Sequence, residues 1–347
     1  MWFKRKTLHA IPADTMRVMA IVDAGPEGEL HVQRQPKPVP KPGDVLIRVA
    51  YTGVNRADLF QRLGSYRAPE GDSPLPGLEV SGSIEAIGED VIGWSVGEKV
   101  AALTNGGGYA EYVAVPASQV LALPASLSLR EAATLPEGLA TAYMALMQEA
   151  EARYGERVLV HGGASGVGLL MIQVARAIGA TVYATCSSPA KQQLITSLGA
   201  TPLAYDSASF ADSARKTIGG PVHVVIDTLG GPYMQQHLKL LAHGGRMVSL
   251  AFLEGPQAVL SMGQLLLKHL RWSGATLRNQ TPKEKAAIME GVRKQLWPLV
   301  AAGHIKPFVD AVFPLDSARE AHDRMENRLN SGKIVLEVSS HQSPAAS

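Results

Sequence analysis

The densest chemical signal is the segment His161-Gly162-Gly163-Ala164-Ser165-Gly166-Val167-Gly168, set between a short apolar run, RVLV, and a longer one, LLMIQVA. A turn joining a strand to a helix presents backbone N–H groups and a helix N-terminus, the groups that hold a pyrophosphate. Glycine is needed there where the chain turns sharply, approaches the phosphates and packs the helix on the sheet. Gly162, Gly163, Gly166 and Gly168 supply those small positions, with Val167 between the last two, while Ser165 stands where the fingerprint usually has its central glycine. The end of the next strand selects the nucleotide, since a site for NAD places Asp or Glu there on the ribose 2′-hydroxyl. This chain has Thr185-Cys186-Ser187-Ser188 and then Lys191. Hydroxyls and a cation without an acid suit a 2′-phosphate, and NADPH is the expected cofactor. The plainer reading of Lys191 is a solvated first-turn lysine. Asp227 ends a later strand just before Gly230-Gly231, at the carboxyl edge where ligands sit in open α/β sheets. It serves either the cofactor or only as a local cap.

These residues need a frame of alternating strands and helices, and the chain supplies one from about residue 139. RVLVHG, TVYATC, TPLAYD, VHVVIDTLGG and RMVSLAF read as five strands with helices between them, a doubly wound α/β unit with a parallel sheet. Up to about residue 138 the pattern differs. RVMAIVDA, VLIRVAYTGV, VSGSIEAIG, KVAAL and YAEYVAVP read as short strands broken by Pro- and Gly-rich turns, a partly closed β body. After Leu277 a helix over about 282–302, a strand VDAVFPLD, a helix from Ser317 to about Arg328 and a strand KIVLEV follow. The economical division places residues 139–277 as an insertion in a β-rich domain built from 16–138 and 278–340. Residues 1–15, ahead of Met16, are expected as a disordered extension, and the polar tail HQSPAAS as frayed.

A chain of 347 residues exceeds the ~250–300 at which single cores stop growing, in keeping with two domains. Lys and Arg total 33 against 31 Asp and Glu, so no strong field recommends nucleic acid or an anionic membrane as partner. The single cysteine, Cys186, excludes an intramolecular disulfide framework and a thiolate-rich zinc site, and points to a reducing, cytoplasmic compartment. No apolar stretch approaches the ~20 residues that span a bilayer.

GVNRADLFQRLGSY, PGLEVSGSIEAIG, GGGYAEYVAVP, HGGASGVG, VVIDTLGG and GKIVLEV follow one another in an order that resembles the zinc-free quinone oxidoreductases of the medium-chain dehydrogenase/reductase superfamily. The resemblance runs from Met16 to Val338. It implies a Rossmann coenzyme domain inserted in a GroES-like twisted barrel, a cleft between the two, and a homodimer. Zinc-containing relatives carry Cys near the position of Val54 or Asn55 and His at that of Leu78, so a catalytic zinc lacks its ligands here. Serine at position 165 and the tyrosine closing Gln61-Arg62-x-Gly64-x-Tyr66 narrow the likeness to the stress-inducible, NADPH-dependent subgroup.

That resemblance implies site roles. Tyr66 and Ser165 are associated with activity, and Lys191, Tyr205 and Arg328 fall at cofactor positions, the first two around the 2′-phosphate. Tyr66 would stack on a quinone ring or donate to its oxygen, against the plain reading of a half-exposed loop aromatic. Asn55 would position the nicotinamide or the substrate carbonyl, or be only a turn former. Asp58 is expected to cap or to pair with Arg56 or Arg62; His161 and His243 are expected to be structural, and Cys186 a packing residue. The implied reaction is hydride transfer from NADPH to a small electrophilic acceptor, a quinone, with no metal or obvious acid–base pair. Two other readings stand: an enone or enoyl double-bond reductase, and an NADPH-binding sensor or weak RNA-binding protein with little turnover. The apolar strand RMVSLAF, taken as the edge of the α/β sheet, is the expected dimer contact.

Overall fold

The computed structural model describes residues 14–205 and 208–338. Residues 1–13 of the expected extension, position 207 of the third α/β helix and the tail HQSPAAS lie outside them. Asp14 is in a turn and Thr15 already opens the first strand.

The N-terminal part contains β1 (Thr15–Val22), β2 (Glu29–Pro36), β3 (Asp44–Val54), helix α1 (Arg56–Arg62), β4 (Glu79–Ile87), β5 (Lys99–Leu103), β6 (Tyr112–Pro116) and β7 (Val120–Ala122). β1 and β2 form an antiparallel ribbon. β2 escaped the sequence pattern because ELHVQRQP is largely exposed and carries no apolar alternation. Two short helices, α2 (Leu129–Ala132) and α3 (Pro136–Ala142), lead into the α/β unit.

That unit runs through β8 (Arg157–Val160), α4 (Gly166–Ala177), β9 (Thr181–Thr185), α5 (Pro189–Ser197), β10 (Thr201–Leu203), α6 (Phe210–Ile218), β11 (Val222–Asp227), α7 (Tyr233–Leu240), β12 (Leu241–Ser249), α8 (Met262–Leu267) and β13 (Arg271–Gly274). Its sheet is parallel, in the order β10-β9-β8-β11-β12-β13. β8 and β11 are apolar on both faces because helices cover both, as a parallel sheet requires. The sheet has six strands rather than five. RMVSLAF lies in β12, one place in from the edge, and the short strand RWSG of β13 is the edge itself. A four-residue strand whose side chains are mostly exposed has too little periodicity to stand out in sequence.

The chain then forms α9 (Pro282–Gly291), a π-helical turn, α10 (Trp297–Ala301), β14 (Val309–Pro314), α11 (Ala318–Glu326) and β15 (Lys333–Glu337). β14 and β15 complete the first sheet, whose order is β14-β15-β3-β4-β5-β7 with β6 also paired to β3. β15 thus lies against β3, nearly the whole chain away in sequence. One core fills this barrel side around Ile47, Val80, Tyr109 and Leu336. A second joins α3, α4 and one face of the six-stranded sheet, and a third covers the other face around Phe210 and Leu238. Among the described residues no helix is long and apolar enough to cross a membrane.

Candidate active site

Ser165 is the N-cap of α4. Its φ and ψ of −71° and 163° are extended values open to any residue, so this backbone position does not require glycine. The Ser165 hydroxyl accepts the Gly168 N–H at 3.0 Å, which leaves the Gly166 and Val167 N–H groups at the open end of the helix for an anion. Gly162 has φ +67°, and a Cβ there would meet nothing closer than 3.7 Å. Gly168 is the opposite case: a Cβ would fall 2.2 Å from the Gly162 carbonyl oxygen. The turn is held from below, since Thr185 Oγ1 accepts the Gly162 N–H at 3.1 Å and Thr185 O accepts the Gly163 N–H at 2.9 Å. An open cradle of N–H groups with bulk excluded fits a pyrophosphate.

Two histidines lie beneath the turn. His161 Nδ1 is 3.1 Å from Thr185 Oγ1, and its Nε2 is 2.8 Å from His237 Nε2. Burial holds His161 well below its ordinary pKa and brings His237 down to about 4 despite the opposing charge of Asp227. Both rings are neutral and share one proton across their bond, a structural role as expected for His161. Asp227 is fully buried. Its Oδ1 accepts the Leu229 N–H at 2.9 Å and the Gly230 N–H at 3.2 Å, and its Oδ2 accepts the Ser249 hydroxyl at 3.1 Å. The carboxylate therefore holds the turn after β11, the cap reading, and presents no exposed face to a ligand.

At the end of β9, Ser187 is exposed, and Cys186 is buried with its thiol pushed up by that burial. Ser188 caps α5, its hydroxyl accepting the Lys191 N–H at 3.4 Å. Lys191 Nζ donates to the Arg328 carbonyl at 2.8 Å, so these two cofactor candidates meet across the two halves. Arg328 sits at φ +56° and pairs with Glu254 at 3.3 Å. Tyr205 approaches the same place. Burial raises its phenol, while hydrogen bonds from Thr185 and Gly162 and the charge of Arg328 oppose the shift. His243 stands apart, an exposed ring 4.9 Å from that of His269.

Below the N-terminus of α4 lies a buried polar cluster. The Gly332 N–H donates to the Ala164 carbonyl at 2.9 Å, stitching the start of β15 to the phosphate turn. The stem of Lys333 fills the space beside Gly166. Lys333 Nζ donates to Asn55 Oδ1 and to Glu79 Oε1, and Asn55 Nδ2 donates to the same Glu79 oxygen at 3.0 Å. Glu79 is 0% and Lys333 3% exposed, so this is a desolvated ion pair with its hydrogen bonds satisfied. Glu79 Oε2 accepts the Glu137 N–H at 3.1 Å. Asp58 caps α1 by accepting the Asn55 N–H at 2.8 Å and holds the Gly77 N–H at 2.8 Å; burial lifts it to about 6. Arg62 turns instead to Glu326, and Arg56 to the Met325 carbonyl.

Tyr66, half-buried, completes the cluster. Burial first, then the nearby Glu137 carboxyl, raise its phenol above the ordinary value, and Arg278 opposes them. The Arg278 guanidinium stands 5.6 Å from the ring centroid, is 5% exposed and donates to Gln61 Oε1 at 2.8 Å. The structure thus links Asn55 to Ser165 through Lys333 and Gly332. Glu79, Glu137, Lys333 and Arg278 were not singled out by sequence. Glu79 follows Leu78 in PGLEV and Lys333 opens KIVLEV, motifs that marked family alone. Within this cluster lie several ionisable groups, Glu79, Lys333 and Asp58 among them, that the sequence reading, which found no obvious acid–base pair, did not bring together.

The chain matches the zinc-binding dehydrogenase family over residues 166–291 and the alcohol dehydrogenase GroES-like domain over residues 41–125. It belongs to the medium-chain dehydrogenase/reductase superfamily and is an oxidoreductase of its quinone oxidoreductase group. It is 32% identical to the quinone oxidoreductase of Mus musculus, covering 92% of this chain and 97% of that one. Among solved structures, a mycobacterial protein complexed with NADPH is 29% identical with a TM-score of 0.82, covering 93% of this chain and all of the other. The CurK enoyl reductase is 28% identical, also with a TM-score of 0.82, over 94% and 100% of the two chains.

Proposed function

We propose that the protein reduces quinones with NADPH and without zinc. The observation that carries this reading is the direct contact between the phosphate turn and the buried Lys333–Asn55–Glu79 cluster, which sets a polar floor under the turn. NADPH, when bound, supplies a hydride. The open N–H groups of α4 would hold its pyrophosphate, and Lys191, Tyr205 and Arg328 its 2′-phosphate. Asn55, fixed from two sides, would orient the reacting carbonyl or carboxamide. Among the described residues no group of three or more His, Cys, Asp or Glu is arranged to hold a metal ion. An enone or enoyl-thioester acceptor is the second reading, favoured by the ionisable Glu137, because an enolate needs a proton more than a reduced quinone does.

NADPH oxidation with ortho- and para-quinones, enones and an enoyl-thioester tests the proposal. Turnover with quinones, unchanged by EDTA, is expected; turnover with the thioester alone would sink the quinone reading. NADPH should raise Tm more than NADH, and Lys191→Ala should narrow that gap. An equal shift with NADH would remove the 2′-phosphate assignment.

We further propose a homodimer through the true edge of the α/β sheet. Trp272 of β13 and Met262, Leu266 and Leu267 of α8 are exposed there, beside a hollow of about 650 Å³ lined by Gly230, Phe252 and Val259 among others. Light scattering should give twice the chain mass; a monomer across a wide concentration range rules the contact out. Cytoplasmic residence rests on the one unpaired cysteine, and cell fractionation checks it.

A further inference from the structure

Building on the reductase reading above, we propose that Glu137 is the proton donor of the site, giving its carboxyl proton to the acceptor oxygen after hydride delivery. Glu137 is the second residue of α3, which packs directly on α4 where Leu170 faces Gly138. Its backbone N–H is tied to Glu79 and its Oε2 accepts the Thr141 hydroxyl at 3.2 Å. Its Oε1 has no hydrogen-bond partner among the described residues, and the side chain is half-buried rather than sealed. The fold makes no other use of this carboxyl.

Every element around it bears on its charge. Burial, the largest influence, disfavours the carboxylate; Lys333 of β15 favours it, as does the Thr141 bond within α3, while Glu79 of β4 and Asp58 of α1 act with burial. The carboxyl is pushed up to about 7, so it holds a proton through much of the neutral range. Tyr66, with Arg278 beyond it, is the other candidate. Its phenol is raised above the ordinary value of 10, which makes it a far weaker acid than Glu137.

The step balances. Hydride delivery carries two electrons to the acceptor and leaves one of its oxygens anionic. The Glu137 O–H bond breaks as the acceptor O–H bond forms, and the charge of Lys333 favours the carboxylate left behind until solvent returns a proton.

Two measurements test this, one without turnover. Infrared titration of the apoprotein should show a carboxyl protonating near pH 7 that is absent in Glu137→Gln and present in Glu137→Asp. In the wild type kcat should fall as pH rises through 7. Glu137→Gln should lose that limb and about tenfold or more in kcat at pH 6 with an enone, less with a quinone. Glu137→Asp should keep the limb. An unchanged infrared titration in Glu137→Gln, or an unchanged pH profile, overturns the assignment. A wild type that turns over no acceptor overturns the reductase reading and this step with it.

Discussion

Gly168→Ala should lower Tm and abolish the stabilisation given by NADPH. The added methyl would stand 2.2 Å from the Gly162 carbonyl oxygen and 2.9 Å from Gly163 Cα. Both are backbone atoms, in a turn pinned to Thr185, so no side chain can swing aside. The N-terminus of α4 must move out instead, which costs about 1–3 kcal/mol of overpacking strain and displaces the N–H groups that would receive the pyrophosphate. Gly25→Ala is the control, because its Cβ would meet nothing closer than 3.7 Å at a backbone angle any residue tolerates, away from the turn and from β13. It should match the wild type in both readouts. A Gly168→Ala protein that keeps its Tm and its NADPH shift would place the phosphates elsewhere.

The second large effect is expected at Lys333. Lys333→Met keeps the volume of the stem and removes the cation, leaving Glu79 fully buried with only the Asn55 amide and the Glu137 N–H as donors. Stranding one partner of a buried pair costs about 3–5 kcal/mol. Lys333→Met/Glu79→Gln should recover most of the loss, since both charges are then gone. Denaturant unfolding at pH 7.5 measures both. A single variant as stable as the wild type at pH 7.5, or a double variant no better than the single, contradicts the buried-pair account.

The phosphate turn was readable in the sequence because its determinants are local: four glycines, a strand before and a helix after lie within some twenty residues. Ser165 looked anomalous only against a glycine pattern, and its extended backbone removes the anomaly. The Lys333–Glu79 pair was invisible for the opposite reason. Its members are 254 residues apart, and each looks like an ordinary charge at a strand end until β15 is laid beside β3. Asp227 was placed at the correct edge, but which way its oxygens face is decided by Ser249 and the turn after it. The sheet edge was misplaced because RMVSLAF is long and apolar, the mark of an interior strand covered on both faces, while the actual edge is four residues long.

The pairing of β15 with β3, and of Gly332 with Ala164, also bears on how the molecule is made. β3 leaves the ribosome some 280 residues before its neighbour exists, and the loop between them must be closed at an entropic cost. The α/β unit, whose contacts are nearer in sequence, can assemble during synthesis, while β3, already paired with β4 and β6, keeps its stretch Tyr51–Val54 open on the side that β15 will take. The nucleotide turn therefore gains its lysine floor among the last events of folding. A chain stalled or clipped shortly before residue 332 would own a phosphate cradle with no chemistry beneath it.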